Sequence, residues 1–506
     1  MRRTHILIVL LIAIGSAWLT TRVDLGMGPG WAHNVVRNWE QYGFFNLHGK
    51  MVVNPGGFQA ETNPESYAGH RPASMYPVFL CYHLFSFTGF SFAAYYALLA
   101  AIVLLSIWWL LGRTERAFWL ATIAVITPGY VRWQTSLDPN LTAALLGFPF
   151  SAAVIWLLRR SSLNWQQGAG LLVVIMAYSA VNWTTVLVHA MLFVTLLVLP
   201  GVPRRHLFVY AGLTAVAAGA VLLASLASKM TTPDGSSRGL ATMLQGYGWG
   251  DAGYGVGMST STALLRLLVV NLIGLLPVLA YVGWQHFRRA GRPTATGLLF
   301  LLPLFMSAVD VLGMRNYFGH HPWMSVSFIL LGLILSAVVW TARASSVAAA
   351  SVTRLPVRFV SVALVFVYSL LVQSAGYAHN SRELALVKFI RENTTRDTTV
   401  VIRRDSDSVL SGIAGRLPEQ FDRHTVVVDD ANPGSLAGVP AKRVFLTAAQ
   451  PPEQIVAQTS GAPAVSPLLG SLLNWYSFHI AKRRAGDKLE VGDNYFLYRT
   501  STTPGA

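Results

Sequence analysis

Two aspartates next to long apolar runs are candidates for acid–base chemistry. Asp24 follows the apolar run 6–20, and Asp138 stands directly before Pro139 at the start of another apolar run. A carboxylate within reach of a hydroxyl can accept its proton as the oxygen attacks. Each aspartate also has a structural alternative. Asp24 could pair with Arg22 at a helix end, and Asp138 could cap a helix that begins at Pro139.

Cations lie in the stretch that follows Asp24. This stretch contains Arg37 and ends at Arg71-Pro72, where the sequence becomes apolar again. A guanidinium group presents several N–H donors in a fixed plane, which suits the binding of a phosphate. One carboxylate and two arginines in one loop could therefore take a proton from a hydroxyl and stabilise negative charge on a leaving phosphate.

The composition predicts a membrane protein. Of 506 residues, 53% are hydrophobic and 12% are charged, and the mean hydropathy is +0.47. Apolar runs recur with the length needed to cross about 30 Å of hydrocarbon. The first run follows Met1-Arg2-Arg3 but lacks a good cleavage context, so we interpret it as an uncleaved anchor. The single cysteine, Cys81, excludes an intramolecular disulfide and a cysteine metal cluster.

The distribution of arginines predicts the topology. Arginine pairs such as Arg159-Arg160 and Arg204-Arg205 fall in short loops on one side of the predicted spans. The positive-inside rule makes that side cytoplasmic and places the first loop, residues 22–90, in the periplasm. The net charge of +16 then reflects topology, and we expect no nucleic-acid partner. The predicted spans, about eleven in all, are 5–21, 91–112, 117–131, 139–158, 167–183, 184–200, 206–228, 261–284, 295–312, 323–342 and 357–376.

Two helices are expected on the outer membrane surface within the first loop. One covers Trp31–Tyr42, with Val35, Val36 and Trp39 on one side and His33, Arg37 and Glu40 on the other. The other covers Met75–Phe90, because counting this segment as a span would move the later arginine pairs to the outer side.

The composition becomes polar and mixed after Tyr377. We predict a transmembrane domain at 1–377 and a small periplasmic α/β domain at 378–506. The chain is thus predicted to be a polytopic α-helical membrane protein with a C-terminal α/β domain. The domain's predicted helices are Arg382–Glu392 and Leu468–Lys482, and its predicted strands are Thr398–Ile402, Thr425–Asp429, Arg443–Leu446 and a strand or hairpin in Lys488–Tyr498.

The layout of the first 160 residues resembles the C-type (GT-C) glycosyltransferase superfamily. The nearest relatives in that superfamily are the protein O-mannosyltransferases and the lipid A aminoarabinose transferases. The matching residues are Asp24, the helix at 32–43, Arg71-Pro72 with Tyr76-Pro77, Leu111-Gly112-Arg113, Pro128, Arg132 and Asp138.

The resemblance implies a reaction and roles for several residues. A sugar would move from a polyprenyl-phosphate donor to a periplasmic hydroxyl on lipid A or O-antigen, a cell-wall glycan or a protein. Asp24 would be the catalytic base, Asp138 would support it or orient the acceptor, and Arg37 and Arg71 would bind the donor phosphate. Relatives often have two adjacent acids where this chain has Asp24-Leu25. A direct displacement would invert the anomeric carbon.

Further residues on the predicted outer face are candidates for substrate binding. Arg315 is a third candidate for the donor phosphate, and a divalent cation is left open as a cofactor, although no metal ligands are assigned. The loop that contains Trp249 is either a plain periplasmic loop or a lid over the substrate. Candidate substrate-binding residues are His33, Tyr67, His70, Arg132, Trp249, His320 and His321.

Two other classes of function remain open. A flippase or transporter of lipid-linked sugars would also be polytopic, although the chain lacks repeated halves and paired broken helices at mid-depth. A non-catalytic envelope assembly protein could have kept the same fold. An enzyme of the bacterial inner membrane should lose activity on Asp24→Asn, whereas a transporter should depend on residues within the membrane.

Overall fold

The computed structural model shows a predominantly helical chain with a small sheet near its C-terminus. It describes residues 3–23, 30–66, 72–85, 89–127, 139–160, 162–182, 184–230, 324–344, 389–403, 422–428, 442–447, 455–458 and 496–498.

The helices follow the apolar runs of the sequence. In the described residues they are α1 Arg3–Val23, α2 Gly30–Tyr42, α3 Tyr76–Phe85, α4 Gly89–Leu110, α5 Glu115–Ile126, α6 Pro139–Leu158, α7 Trp165–Ser179, α8 Thr185–Val198, α9 Arg204–Met230 and α10 Met324–Ala344. Every predicted span that overlaps the described residues coincides with one of these helices. The predicted spans 261–284, 295–312 and 357–376 lie outside the described residues. A search of the described residues alone finds no helix with both the length and the hydropathy that a membrane crossing requires.

Local signals explain where several helices begin and end. The side chain of Thr114 accepts a hydrogen bond from the backbone N–H of Ala117, 3.1 Å away, and so caps α5. Asn164 and Gln167 form a reciprocal capping box at the start of α7. Helix α5 ends before Thr127, which is extended, because a residue that precedes a proline disfavours the helical conformation.

The helices pack around one apolar core. Helix α1 packs against α4, which also contacts α5 and α6, and α10 packs against α6 and α8. Leu104, Phe118, Phe148 and Val188 are completely buried in this core. His189 joins three helices, because its Nε2 lies 2.9 Å from Ser179 Oγ and its Nδ1 lies 2.9 Å from the Tyr210 hydroxyl.

Helix α2 corresponds to the first of the two helices predicted within the first loop. It packs on α3, and α3 packs on α4. The Nδ2 of Asn38 donates to the carbonyls of Val52 and Asn54, each 3.0 Å away. These bonds fix the path of residues 43–66 beneath α2. The second predicted surface helix is shorter than expected, since α3 ends at Phe85 and α4 already begins at Gly89.

The strands near the C-terminus form one mixed sheet within the described residues. In chain order they are β1 Thr399–Arg403, β2 Thr425–Val428, β3 Arg443–Thr447, β4 Ile455–Gln458 and β5 Phe496–Tyr498, and their order in the sheet is β2-β1-β3-β5-β4. Strand β1 is parallel to β2 and β3, whereas β5 is antiparallel to β3 and β4.

Strand β1 lies between β2 and β3 in the sheet and is buried. Val400, Val401 and Ile402 are fully buried in β1, as expected for a strand covered on both faces. The predictions of β1, β2, β3 and β5 are confirmed, but β4 was missed because its four residues carry only a short apolar signal. Residues 389–393 are helical, in agreement with the end of the predicted helix Arg382–Glu392. The predicted helix Leu468–Lys482 and the domain boundary at 377 lie outside the described residues.

Candidate functional site

The structure describes two of the residues that the sequence places in a site, His33 and Arg37, and both lie on α2. The others fall outside the described residues, and their roles stay predictions: they are Asp24, Tyr67, His70, Arg71, Arg132, Asp138, Trp249, Arg315, His320 and His321.

Arg37 makes an ion pair with a residue from the C-terminal part of the chain. Its Nη1 lies 2.6 Å from Oδ2 of Asp422. The Asp422 side chain is completely buried, whereas 20% of the Arg37 side-chain surface stays exposed. A charge-assisted bond this short between a buried carboxylate and a guanidinium belongs to the stronger class of polar contacts.

The carboxylate of Asp422 has further partners. Arg396 Nη2 donates to Oδ1 over 3.0 Å, and Arg396 Nε lies 2.8 Å from Oδ2. The backbone N–H of Gly56 also donates to Oδ1 over 3.0 Å. We call Asp422, Arg37, Arg396 and Gly56 the Asp422 cluster. It brings together α2, the short turn at 55–57 and the residues that flank β1 and β2.

Electrostatics keep Asp422 ionised. Burial alone would raise the pKa of this carboxyl, but the charges of Arg37 and Arg396 and their hydrogen bonds outweigh burial and hold the pKa below its usual value. A carboxylate that is enclosed and held ionised in this way is a poor general base. The cluster therefore has the properties of a structural joint.

Contacts around the cluster extend the same interface. Arg396 Nη2 donates to Asn38 Oδ1 over 3.0 Å, and its Nη1 donates to Gln41 Oε1. The rings of Phe58 and His424 stack with centroids 3.8 Å apart. Gly56 has a φ of +66°, and a Cβ atom there would lie 2.7 Å from the carbonyl oxygen of Arg396. The first loop and the strand-bearing segment thus touch through backbone, ring and charged contacts.

The environment of the cluster is cationic. Arg423 Nε donates to Thr394 Oγ1 over 2.9 Å, and its Nη2 donates to the Thr394 carbonyl over 2.8 Å. Burial lowers the pKa of Arg423, Asp422 raises it, and the charges of Arg391, Arg37 and Arg396 lower it again, which together leave it at about 10.

His33 lies inside this environment rather than on the polar surface where the helical pattern placed it. Only 8% of its surface is exposed. Burial, followed by the charges of Arg391 and Arg37, lowers its pKa to about 3. His33 is therefore a neutral side chain at any ordinary pH. The sequence places His33 on the side of α2 opposite Val35, Val36 and Trp39, and in the structure His33 is buried on that side as well.

Sequence reasoning missed Asp422, Arg396 and Gly56. Asp422-Arg423-His424 precedes a β-rich run without any motif that distinguishes it. Asn54-Pro55-Gly56-Gly57 does carry a turn signal, but its contact with Asp422 depends on the tertiary structure. A search for sites with three or more His, Cys, Asp or Glu side chains finds no metal-binding group among the residues with described positions.

Sequence comparison finds no relatives for this chain. No protein-family model matches it. No curated protein matches it either.

Structure comparison does find relatives. The crystal structure of ArnT from Cupriavidus metallidurans bound to undecaprenyl phosphate matches with a TM-score of 0.53 and 13% sequence identity, over 88% of this chain and 92% of ArnT. The chain has the fold of ArnT. The apo structure of the same ArnT matches with a TM-score of 0.49 and 12% identity, over 88% of this chain and 95% of ArnT. ArnT is a lipid A aminoarabinose transferase of the C-type superfamily, so the resemblance inferred from the first 160 residues is confirmed for the fold.

Proposed function

We propose that this chain is an integral-membrane glycosyltransferase. It moves a sugar from a polyprenyl-phosphate donor to an acceptor hydroxyl on the periplasmic side of a bacterial inner membrane. The ArnT fold over 88% of the chain carries the proposal. The ArnT structure was solved with undecaprenyl phosphate, which supports a lipid-linked phosphate as the donor. The N-terminus would be cytoplasmic and the sheet-bearing domain periplasmic.

The proposed reaction is a direct displacement. The acceptor oxygen forms a bond to the anomeric carbon as the bond from that carbon to the phosphate oxygen breaks. Polyprenyl phosphate leaves with the bonding electrons, Asp24 takes the acceptor's proton, and the anomeric configuration inverts. Asp24 directly follows Val23, the last residue of α1, and precedes α2 in the chain. Asp138 orients the acceptor from the residue before α6.

Cations stabilise the leaving phosphate in this proposal. Arg37, Arg71 and Arg315 supply them. The guanidinium of Arg37 also pairs with Asp422, and a fifth of the Arg37 side-chain surface stays exposed. Tyr67, His70, Arg132, Trp249, His320 and His321 are proposed to contact the sugar or the acceptor. His33 would act as a neutral group, and a divalent cation is left open.

The decisive experiment compares envelope glycans and surface proteins by mass spectrometry. The strains are wild type, a deletion, and the deletion complemented with Asp24→Asn or with Glu61→Gln. Glu61 is an exposed acid in the same loop and serves as the matched control. We expect one glycan modification to disappear in the deletion, to return with Glu61→Gln and to stay absent with Asp24→Asn at equal expression. Full restoration by Asp24→Asn would remove Asp24 as the base and favour a transporter or an assembly protein.

A reconstituted assay separates transfer from transport. The purified protein in detergent is mixed with a synthetic polyprenyl-phosphate sugar and an extract of acceptor glycolipids. A transferase releases polyprenyl phosphate in detergent, where no membrane separates two compartments. A flippase releases none under these conditions.

A further inference from the structure

The Asp422 cluster unites segments that are remote in sequence. One carboxylate oxygen, Oδ2, contacts Arg37 Nη1 at 2.6 Å and Arg396 Nε at 2.8 Å, and the other, Oδ1, accepts from Gly56 N at 3.0 Å. Arg37 and Gly56 belong to the first loop, whereas Asp422 and Arg396 flank the strands of the sheet. Since the Asp422 side chain is fully buried, this is a built joint and not an exposed ion pair of small energetic value.

The backbone at the joint fits the contact closely. Asp422 has a φ of +55°, a left-handed conformation that aspartate and asparagine accept better than most residues. Gly56 lies so close to the C-terminal segment that an added Cβ would lie 2.7 Å from the carbonyl oxygen of Arg396 and 3.0 Å from the backbone nitrogen of His424. Asn38 and Gln41 add two bonds from α2 to Arg396. Helix α2 is thus held through its polar side by the C-terminal segment and through its apolar side by α3.

We propose that Asp422 is a positioning residue for the transfer reaction. Its carboxylate holds α2 against the sheet-bearing segment and so fixes the Arg37 guanidinium at the place where it meets the donor phosphate. In this arrangement the C-terminal domain stabilises the first loop in its working conformation. The kinetic part of this inference rests on the proposed function, whereas the docking of α2 can be tested without any activity.

The positive charge around Asp422 explains why the loss of its carboxylate should move α2. Arg37 and Arg396 share one carboxylate, and Arg423 and Arg391 add positive charge nearby. Neutralising Asp422 removes the shared attraction and leaves the repulsion between guanidinium groups. Helix α2 should then separate from Arg396, which moves Arg37 without altering any atom that reacts.

The first test replaces Asp422 by asparagine in the full chain. Asparagine tolerates the left-handed backbone and keeps an acceptor for the Gly56 N–H, so the change removes mainly the charge. We expect the donor KM to rise about tenfold or more with a smaller change in kcat. We also expect faster hydrogen exchange in residues 30–42 and 50–58. Asp397→Asn is the matched control, because Asp397 is an exposed acid beside Arg396 that pairs with Lys442. This control should change neither the donor KM nor the hydrogen exchange of the two segments.

A second variant covers the case in which Asp422→Asn does not fold. Gln41→Ala removes the bond from Arg396 to Gln41 and the bond from Gln41 Nε2 to the Tyr42 hydroxyl, and it leaves every charge in place. It should produce a smaller rise in donor KM and faster exchange confined to α2. Wild-type hydrogen exchange in α2 in each variant that folds, or an unchanged kcat/KM for the donor, would overturn the inference.

A disulfide separates positioning from general stability. In a Cys81→Ala background, cysteines replace Phe58 and His424, whose rings stack in the wild-type protein, and mass spectrometry of the oxidised protein first establishes that the pair crosslinks. Oxidation of this pair in the Asp422→Asn protein should restore the donor KM, and a reductant should reverse the effect. If oxidation slows exchange in α2 but leaves the donor KM raised, Asp422 does not act through position.

The proposed function and this inference fail in different ways. If the wild-type chain does not turn over donor, the proposed function fails, while hydrogen exchange still decides whether Asp422 docks α2. If the wild-type chain is active and Asp422→Asn leaves exchange unchanged, only the positioning role fails.

Discussion

The guanidinium of Arg37 lies 2.6 Å from the carboxylate of Asp422, although 385 residues separate them in the chain. This contact connects a helix between the first apolar segments to the sheet near the C-terminus. It changes the interpretation of Arg37, which the sequence alone presents only as a cation for a phosphate. In the structure the same side chain also holds two parts of the chain together.

Arg37 and Asp422 should be energetically coupled. Because both contribute to one buried charge pair, losing either partner already loses the contact. We expect Arg37→Gln and Asp422→Asn each to lower the melting temperature, and the double variant to melt within about a degree of the worse single variant. Scanning fluorimetry of the purified protein measures this. The exposed pair Asp397 and Lys442 is the control, and its neutralisation should leave melting unchanged; additive losses at Arg37 and Asp422 would contradict the coupling.

Stability should fall as the pH drops below about 6.5, the ordinary pKa of histidine, because His33 is buried and neutral. Its pKa in the folded chain is about 3. At a pH between about 3 and about 6.5, His33 therefore binds a proton in the unfolded chain but stays neutral in the folded chain. Folding free energy is therefore lost as the pH falls through that window, by at most about 1.4 kcal/mol per pH unit.

Substitution of His33 tests whether this residue causes the pH dependence of stability. Arg391 and Arg37 disfavour the protonated ring, and Asp422 favours it. His33→Gln should flatten the slope of melting temperature against pH between about 6.5 and 4. An unchanged slope would show that folding does not lower the pKa of His33. Below about pH 4 the melting temperature of both the wild-type protein and the His33→Gln variant should fall further, because folding also lowers the pKa of Asp422.

Gly56→Ala should destabilise the contact between the first loop and the sheet-bearing segment. Its added Cβ would lie 2.7 Å from a backbone carbonyl, at a φ of +66°. We expect the free energy of unfolding to fall by about 2–4 kcal/mol, whereas strain in φ alone would lower it by about 1 kcal/mol. Gly201→Ala is the control, because Gly201 has a φ of +83° and its added Cβ would meet no atom within 4 Å. Equal effects of the two substitutions in a melting experiment would argue against a close approach at Gly56.

Trp39 should be the main apolar anchor of α2. It is 1% exposed, its Nε1 donates to the Lys50 carbonyl over 2.6 Å, and its ring meets Phe44 and Phe79 edge-on. Trp39→Ala should lower the free energy of unfolding by about 3–5 kcal/mol. Trp39→Phe should lower it by about 1–2 kcal/mol, because the hydrogen bond to the Lys50 carbonyl is lost.

The neighbouring Phe45 provides the control for Trp39. Its side chain is 85% exposed, so Phe45→Ala should change the melting temperature little. Proteolysis of the first loop should follow the same ranking as melting. Equal sensitivity of the Trp39 and Phe45 variants would mean that α2 is not anchored through its apolar face.

The sequence predicted the secondary structure well where patterns are local. Helices α4 and α6 follow long, mostly apolar runs, and α2 follows a helical alternation of Val35, Val36 and Trp39 with polar residues. Strands β1 and β2 follow short runs of β-branched residues. Predictions were wrong where the pattern was weak or tertiary contact decided the outcome, as with the missed β4 and the burial of His33.

Among the described residues, the sequence by itself determined the helices and most strands, because apolar periodicity and capping residues act over a few neighbouring positions. The likeness to a glycosyltransferase fold came from the resemblance of particular residues and their order in the chain. Only the tertiary structure decided that Arg37, Arg396, Gly56 and Asp422 meet. Their contact depends on the path of the chain between α2 and β2, and single polar residues carry no periodic pattern that could predict it. The fold thus gives Asp422 its place, and the buried charge pair holds α2 there.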